Sequence, residues 1–526
     1  MLMVRQIGKN YGYSIKEGTA PGEFPCGCDP RRTHHAATDW IAKTNVSAPP
    51  NRHAHPRAFR IFARFAKELP FSFPHSHMAK SLSILFITSE VLPFAKTGGL
   101  ADVSAALPLA LTELGHDVRL IIPKYGSVSE RRNRIHEIKR LKEIPMEVAG
   151  EETIAVVKSS QVVNARAKVQ VYLVTNDKYL EPLKGIYTDP KTGKDFANND
   201  ERFIFFAKAA LETCLRLGWR PDVIHCNDWQ TALIPMFLKE MYGKDPMFAH
   251  TRTLLTIHNM AYQGVFPAGV FAKTGLPAHL APAMEHAGKT NFLKAGITYA
   301  DAVNTVSPRY AKEIMTSEYG CGLESVVKKH REKLWGIVNG VDTEVWNPAT
   351  DKLISEKYTA ANLEAKFENK TSLGNRFAMD ADLDTPIFGM IARLVEQKGY
   401  DLICESIDKL AALPAQFVFM GEGEKKYETV LTRASKKYKN IGFFHGYDEE
   451  LAHLVQAGSD GILMPSRFEP CGLNQLYAQA YGAVPVVAKT GGLLDTIEEY
   501  NPKKESGNGF FIEDLTTEGW WQPSRK

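Results

Sequence analysis

Runs of four to seven aliphatic and β-branched residues with no polar break recur along this chain, spaced by helix-length segments, in two separate series. Such runs are too short to cross a bilayer and too apolar for a surface, so each reads as a strand buried on both faces of a parallel sheet. The first series comprises Leu82 to Thr88, Asp117 to Ile122, Val169 to Thr175, Asp222 to Cys226, Thr253 to His258 and Ala302 to Val306. After a loop-rich stretch from Asn347 to Asp384 the pattern restarts with Ile387 to Ile391, Gln416 to Met420, Ile441 to Phe444, Gly461 to Met464 and Val484 to Ala488. Helices are expected to begin near Lys398, Glu424, Asp448, Cys471 and Gly492. The expected fold class is therefore α/β, with two doubly wound Rossmann-like domains in series. The length of 526 residues allows these and an appendage. Ligands of such sheets bind beyond the carboxyl ends of the strands, so a cleft between two facing domains is the expected site.

Charge and cysteine usage narrow the class. The formal charge is +4, but residues 1–77 hold eleven Lys and Arg against five acids, so the remainder carries a net −2 and nucleic acid is not an expected partner. No apolar run approaches the roughly 20 residues of a membrane span, so no membrane partner is expected either. Seven cysteines thinly spread through a long chain suit free thiols in a reducing compartment, and a cytoplasmic location is expected. Residues 1–77 differ in character from the remainder of the chain: they hold six of the 16 histidines, and only Arg57 to Leu69 has a helical pattern. They read as a disordered extension or as the product of a start placed too early, with Met78 the true first residue. A transit peptide, and hence a plastid, is the alternative. Cys26 and Cys28 make no four-ligand metal set, and no His, Cys or Asp cluster elsewhere has metal-ligand spacing.

Polar motifs stand at the ends of the buried runs. The first run leads into KTGGLADV, Lys96 to Val103, where Gly98 and Gly99 open a helix and Lys96 adds a positive charge. That suits a phosphate cradle, although a plain strand-to-helix turn would also need two glycines. It is neither a Walker loop nor a GxGxxG fingerprint. HCNDWQT sets His225 and Asp228 at one run's end, and HNMAYQG (His258 to Gly264) stands at the end of another. In the second series IARLVEQKGYD places Arg393 and Lys398 just past a strand, the arrangement of a cation pair for a leaving diphosphate, or of two solvated surface charges. In SRFEPCGLNQLY, Ser466 to Tyr477, Glu469 precedes a proline and is held extended on the loop before a helix.

KTGGLADV, HNMAYQG, NGVD (Asn339 to Asp342) and SRFEPCGLNQLY, in that order, resemble the bacterial glycogen synthase and plant starch synthase family, over Leu82 to Phe511. The resemblance implies the two-Rossmann-domain (GT-B) glycosyltransferase fold. It implies an acceptor and catalytic domain over 78–342 and a nucleotide-sugar-binding domain over 343–526. The implied activity is retaining transfer of glucose from ADP-glucose to an α-1,4-glucan, with no resident cofactor and no metal. By resemblance Asp228, His258 and Glu469 are reaction-centre residues. Lys96, Gly98, Gly99, Asn339, Arg393, Lys398, Cys471, Gly472 and Leu473 belong to the donor, and Glu90 and Tyr187 to the acceptor glucan. Wider relatives of the fold carry a second Glu eight residues after the first; here that position is Tyr477, as in the glycogen and starch synthase branch. A second KTGGL, Lys489 to Leu493, echoes the first. The family continues beyond the GNGFFIED region with helices, so the C-terminal domain is expected to be incomplete. The alternatives are another sugar-nucleotide transferase of this fold, or a truncated glucan-binding pseudoenzyme.

Overall fold

The computed structural model describes residues 81–379, 383–517 and 519–520. They form two compact units that part between Gly340 and Val341. Arg57 to Leu69, Cys26 and Cys28 lie outside the described residues.

In the first unit the strand that comes first in the chain, Ser83–Ile87, lies mid-sheet, between Asp117–Pro123 and Val223–Asn227. Lys168–Thr175 extends the sheet on one side, and Arg252–Ile257, Ala302–Thr305 and Leu334–Gly336 extend it on the other, all in parallel register. The chain thus builds outward in one direction, returns to the centre, and builds outward in the other. Ile84 to Ile87 and Leu120 to Ile122 are buried, the burial that their unbroken apolar sequence demands.

The second unit repeats the plan. Ile387–Ile391 pairs with Gln416–Gly421, which pairs with Ile441–His445; on its other side stand Gly461–Met464, Val484–Ala488 and Phe510–Ile512, all parallel. Numbered along the chain this is the order 3-2-1-4-5-6, that of the doubly wound dinucleotide-binding fold. The same device starts both sheets. Ser83 N donates to Asp222 Oδ2 at 2.8 Å, and Ile387 N donates to Asp460 Oδ2 at 2.8 Å. In each unit, an aspartate just before the fourth parallel strand of this order pins the start of the first.

Several expectations need correction. The first sheet is mixed, because Glu151–Val163 runs antiparallel to Lys168–Thr175 and pairs also with Ile144–Val148 and His136–Glu137. Its apolar residues alternate with Glu, Lys and Ser, the pattern of a half-solvated antiparallel strand that a search for unbroken apolar runs passes over. A second, three-stranded antiparallel sheet joins Val265–Pro267, Glu285–His286 and Lys289–Asn291. The stretch read as loop-rich holds the helix Lys366–Arg376. The helix expected near Lys398 starts at Tyr400 after a 3-10 turn, Glu396–Lys398, and the one expected near Cys471 starts at Asn474. The second delay has a local cause: Gly472 adopts a left-handed φ of 74°, which breaks the helical path before it begins.

Past Gly340 the chain anchors itself to the second unit through an aromatic stack. The Trp346 ring lies between His453 and Tyr477, with centroids 3.9 Å away on each side and interplanar angles of 12° and 8°. His453 Nδ1 bonds the buried Asp351 carboxylate at 2.7 Å, and Tyr481 OH donates to the same Oδ2. Tyr477, eight residues after Glu469, therefore serves as one wall of this stack. Trp346→Ala should remove about 3–5 kcal/mol from the stability of the second unit, read in a denaturant melt; an unchanged midpoint would show that the stack contributes nothing.

Candidate active site

In both sheets the strand order reverses beside the first strand, and the loops leaving the two central strands part in opposite directions. The polar motifs stand at those two switch points, one in each unit.

In the first unit, Glu90 lies just past Ser83–Ile87 and is 3% exposed. Its Oε1 accepts from Thr97 Oγ1 at 2.7 Å and Tyr187 OH at 2.6 Å, while its Oε2 accepts from the backbone amides of Thr97 and Gly98. Burial pushes its carboxyl up from the ordinary 4.5, and these donors pull it back. Glu90 and Tyr187, expected as acceptor contacts, are thus brought together, but both Glu90 oxygens serve to hold the KTGG loop in place. Lys96 bonds Asp102 at 2.9 Å. Gly98 has an extended backbone open to any residue, and among the described residues no atom beyond its chain neighbours lies within 4 Å of where its Cβ would project.

Across the switch point, Asp228 ends the strand Val223–Asn227 with φ 57° and ψ −175°, a conformation strained for any residue but glycine. Its Oδ1 accepts from the His258 amide at 2.7 Å, and the Asn259 amide also donates to the carboxyl. This joins two neighbouring strand ends and brings Asp228 and His258 together. Burial raises the Asp228 carboxyl to about 7 and lowers the His258 imidazole to about 4. Asn227 Nδ2 donates to the carbonyls of Ile87 and His225, so its Oδ1 is the acceptor for His258 Nε2 at 3.0 Å. That network assigns the proton to Nε2 and leaves Nδ1 as the lone-pair nitrogen of a neutral ring. Asn227 was not singled out by sequence; its place between two singled-out residues was the signal. His225, in contrast, is buried in the sheet and bonds Thr256 Oγ1 at 2.6 Å; it belongs to the core.

In the second unit, Arg393 and Lys398 leave Ile387–Ile391, and Ser466 and Glu469 leave Gly461–Met464. Lys398 Nζ and Glu469 Oε2 form an ion pair at 2.5 Å, and Ser466 Oγ donates to the same oxygen at 3.1 Å. The loops are zipped further by Arg467 N to Gln397 O, Gln397 Nε2 to Phe468 O, and an Arg467–Asp401 ion pair. Gly399 has φ 79°, and a Cβ there would meet Pro465 O at 2.3 Å, so only glycine lets the loops approach. Arg393 is exposed at the start of the same loop. Cys471 is buried, and Gly472 and Leu473 precede the helix Asn474–Ala480, with Gln475 Nε2 donating to the carbonyls of Cys471 and Gly472. In the second KTGGL, a Cβ on Gly492 would lie 2.4 Å from the Cys471 backbone, so close packing explains that glycine. Asn339 lies in irregular chain next to Gly340, where the first unit ends. Ser466, missed from sequence, is legible only once the fold sets it against Glu469.

Each unit thus sets ionisable groups at its strand ends: buried carboxyl groups and a neutral imidazole in the first, and a cation–carboxylate pair in the second. Family models match both units: one described as starch synthase catalytic domain matches residues 83–329, and one described as glycosyl transferases group 1 matches residues 374–518. Glycogen synthase 2 of Geobacter sulfurreducens is 44% identical, over 84% of this chain and 90% of its own length. The chain belongs to the glycogen and starch synthase family. Glycogen synthase of Thermotoga maritima is 41% identical, over 82% of this chain and 87% of its own. Among solved structures, the catalytic domain of starch synthase IV from Arabidopsis thaliana bound to ADP and acarbose superposes with a TM-score of 0.75. It is 32% identical and covers 84% of this chain and 90% of that one. The fold is accordingly the two-domain α/β glycosyltransferase fold, GT-B. Among the described residues no helix is long and apolar enough to cross a membrane, and no group of three His, Cys, Asp or Glu is placed to hold a metal ion.

Asp228 couples this site to stability. With its carboxyl raised from 3.8 to about 7 in the folded chain, its contribution is full below pH 3.8 and is lost as pH rises through 7. Asp228→Asn, neutral throughout, should therefore gain melting temperature relative to wild type as pH goes from 5 to 8. A difference independent of pH would show that the carboxyl is not buried in its charged form.

Proposed function

We propose that this protein is a retaining glucosyltransferase that extends an α-1,4-glucan with glucose from ADP-glucose, in the bacterial cytoplasm. The observation that carries the reading is the Lys398–Glu469 pair at the switch point of the second sheet. It sets a cation for a departing diphosphate next to a carboxylate that can accept from sugar hydroxyls. Lys398, Arg393 and Lys96 neutralise the ADP as it leaves, and the open space at Gly98, next to Gly99, admits its phosphates. Glu469 takes hydroxyl hydrogen bonds of the transferred glucose, assisted by the amides of Gly472 and Leu473, with Cys471 packed beneath and Asn339 on the donor side. Asp228 and His258 face the sugar that bears developing positive charge. The Asp228 carboxylate, formed as pH passes about 7, and a lone-pair nitrogen both stabilise that charge without a fixed covalent nucleophile. Glu90 and Tyr187 stand on the acceptor side, and Glu90 also holds the loop that admits those phosphates.

The family relationship supports this reading: the curated relatives are named glycogen synthase, and the solved structure is a starch synthase bound to ADP and acarbose. Transfer of labelled glucose to glycogen tests it. ADP-glucose should serve far better than UDP-glucose, and the rate should survive EDTA, because protein cations supply the charge; equal or better use of UDP-glucose would overturn the donor assignment. Lys398→Ala should lower turnover by about 10²-fold or more, since its contact strengthens as the leaving group gains charge. Turnover near wild type, in a variant shown by its melt to be folded, would remove Lys398 from that role.

A further inference from the structure

Arg202 is fully buried in the helix Asn199–Leu217, and no carboxylate pairs with it among the described residues. Burial of a cation is costly unless its donors are used, and a cation in a helix's first turns also opposes the helix dipole. The guanidinium is spent on backbone instead. Nε donates to Tyr179 O at 2.9 Å, and Nη1 donates to Ile186 O at 2.9 Å and to Asn199 Oδ1 at 2.6 Å. Nη2 has no partner among the described residues.

These bonds lead to the site. Asn199, oriented by Arg202, donates through Nδ2 to Tyr187 O at 2.9 Å, so the peptides of residues 186 and 187 are both held from this helix. Tyr187 OH then donates to Glu90 Oε1, and Glu90 holds Thr97 and Gly98. A second support converges on the same point. The guanidinium lies 5.7 Å from the centre of the Tyr125 ring, whose hydroxyl donates to Ser89 O at 2.9 Å. We infer that Arg202 is a positioning residue for transfer: through Asn199 and Tyr187 it fixes Glu90 and, through Glu90, the KTGG loop that receives the donor phosphates. This rests on the functional reading above for its meaning, but its mechanical content can be measured without turnover.

The experiment uses the full chain with Arg202→Lys, Tyr187→Phe and the double variant, each checked by thermal melt. Hydrogen exchange is followed in the peptides covering residues 89–99, and glucose transfer from ADP-glucose at saturating glucan is followed alongside. Each single variant should speed exchange in that segment by about tenfold or more and leave the second unit unchanged. Each should lower kcat by a similar factor, and the double variant should be no more than about twofold worse than the weaker single, because both act on one chain of contacts. Unchanged exchange in residues 89–99, or effects that multiply in the double variant, would overturn the inference. If wild type shows no transfer, the functional reading falls while the exchange result still decides this one. If Arg202→Lys melts more than about 10 °C below wild type, Asn199→Ala takes its place in the same cycle and the same outcomes decide.

Discussion

Everything at this site depends on one topological constraint met twice. In each sheet the strand that forms first in the chain is flanked on one side by the second and on the other by the fourth of the order, so the connections at their carboxyl ends must part. The backbone there runs out of sheet partners, and its amides and carbonyls need others. Glu90 satisfies two such amides in the first unit, and Asp228 satisfies two more. In the second unit Gln397 and Arg467 tie the parted loops to each other. Glu90 and Asp228, both singled out in the sequence, are thus among the groups that close the hydrogen-bond accounts of the switch points.

Two buried carboxylates illustrate how differently that can be arranged. Glu90 is held by neutral donors, and burial leaves its proton more tightly bound than usual. Glu469 is held by a cation at 2.5 Å and by a hydroxyl, the arrangement in which the attraction of a partner offsets loss of water. The first suits an organiser of its own loop. The second suits a group able to exchange partners, since an arriving anion would compete for Lys398. Asp228 is a third case, strained in its backbone and raised to about 7; strain of this kind persists only where the surrounding strands over-determine the position, as the ties to Thr256 O and the His258 amide do.

The strand cores were legible because burial on both faces leaves no choice of residue type. Ile387–Ile391, Gly461–Met464 and Val484–Ala488 occupy the same residues in the fold as in the sequence reading. The long strand Glu151–Val163 was not legible from unbroken apolar runs, since one face meets solvent and its polar residues interrupt them. Helix starts were misjudged near Lys398 and Cys471, where glycines at positive φ delay the helix by a few residues.

The sequence by itself determined the two α/β series, the strand ends on which polar motifs stand, and the family to which those motifs belong. These are local: a run of apolar residues and a glycine pair carry their meaning within ten residues. Tertiary structure alone decided who meets whom. Glu90 with Tyr187, Lys398 with Glu469, Arg202 with the carbonyls of Tyr179 and Ile186, and Trp346 between His453 and Tyr477 are contacts across sequence separations from 16 to 131 residues. No local pattern encodes them. They exist because, within each unit, the strand order brings distant segments together, and a buried polar group there must find a partner from whatever the fold delivers.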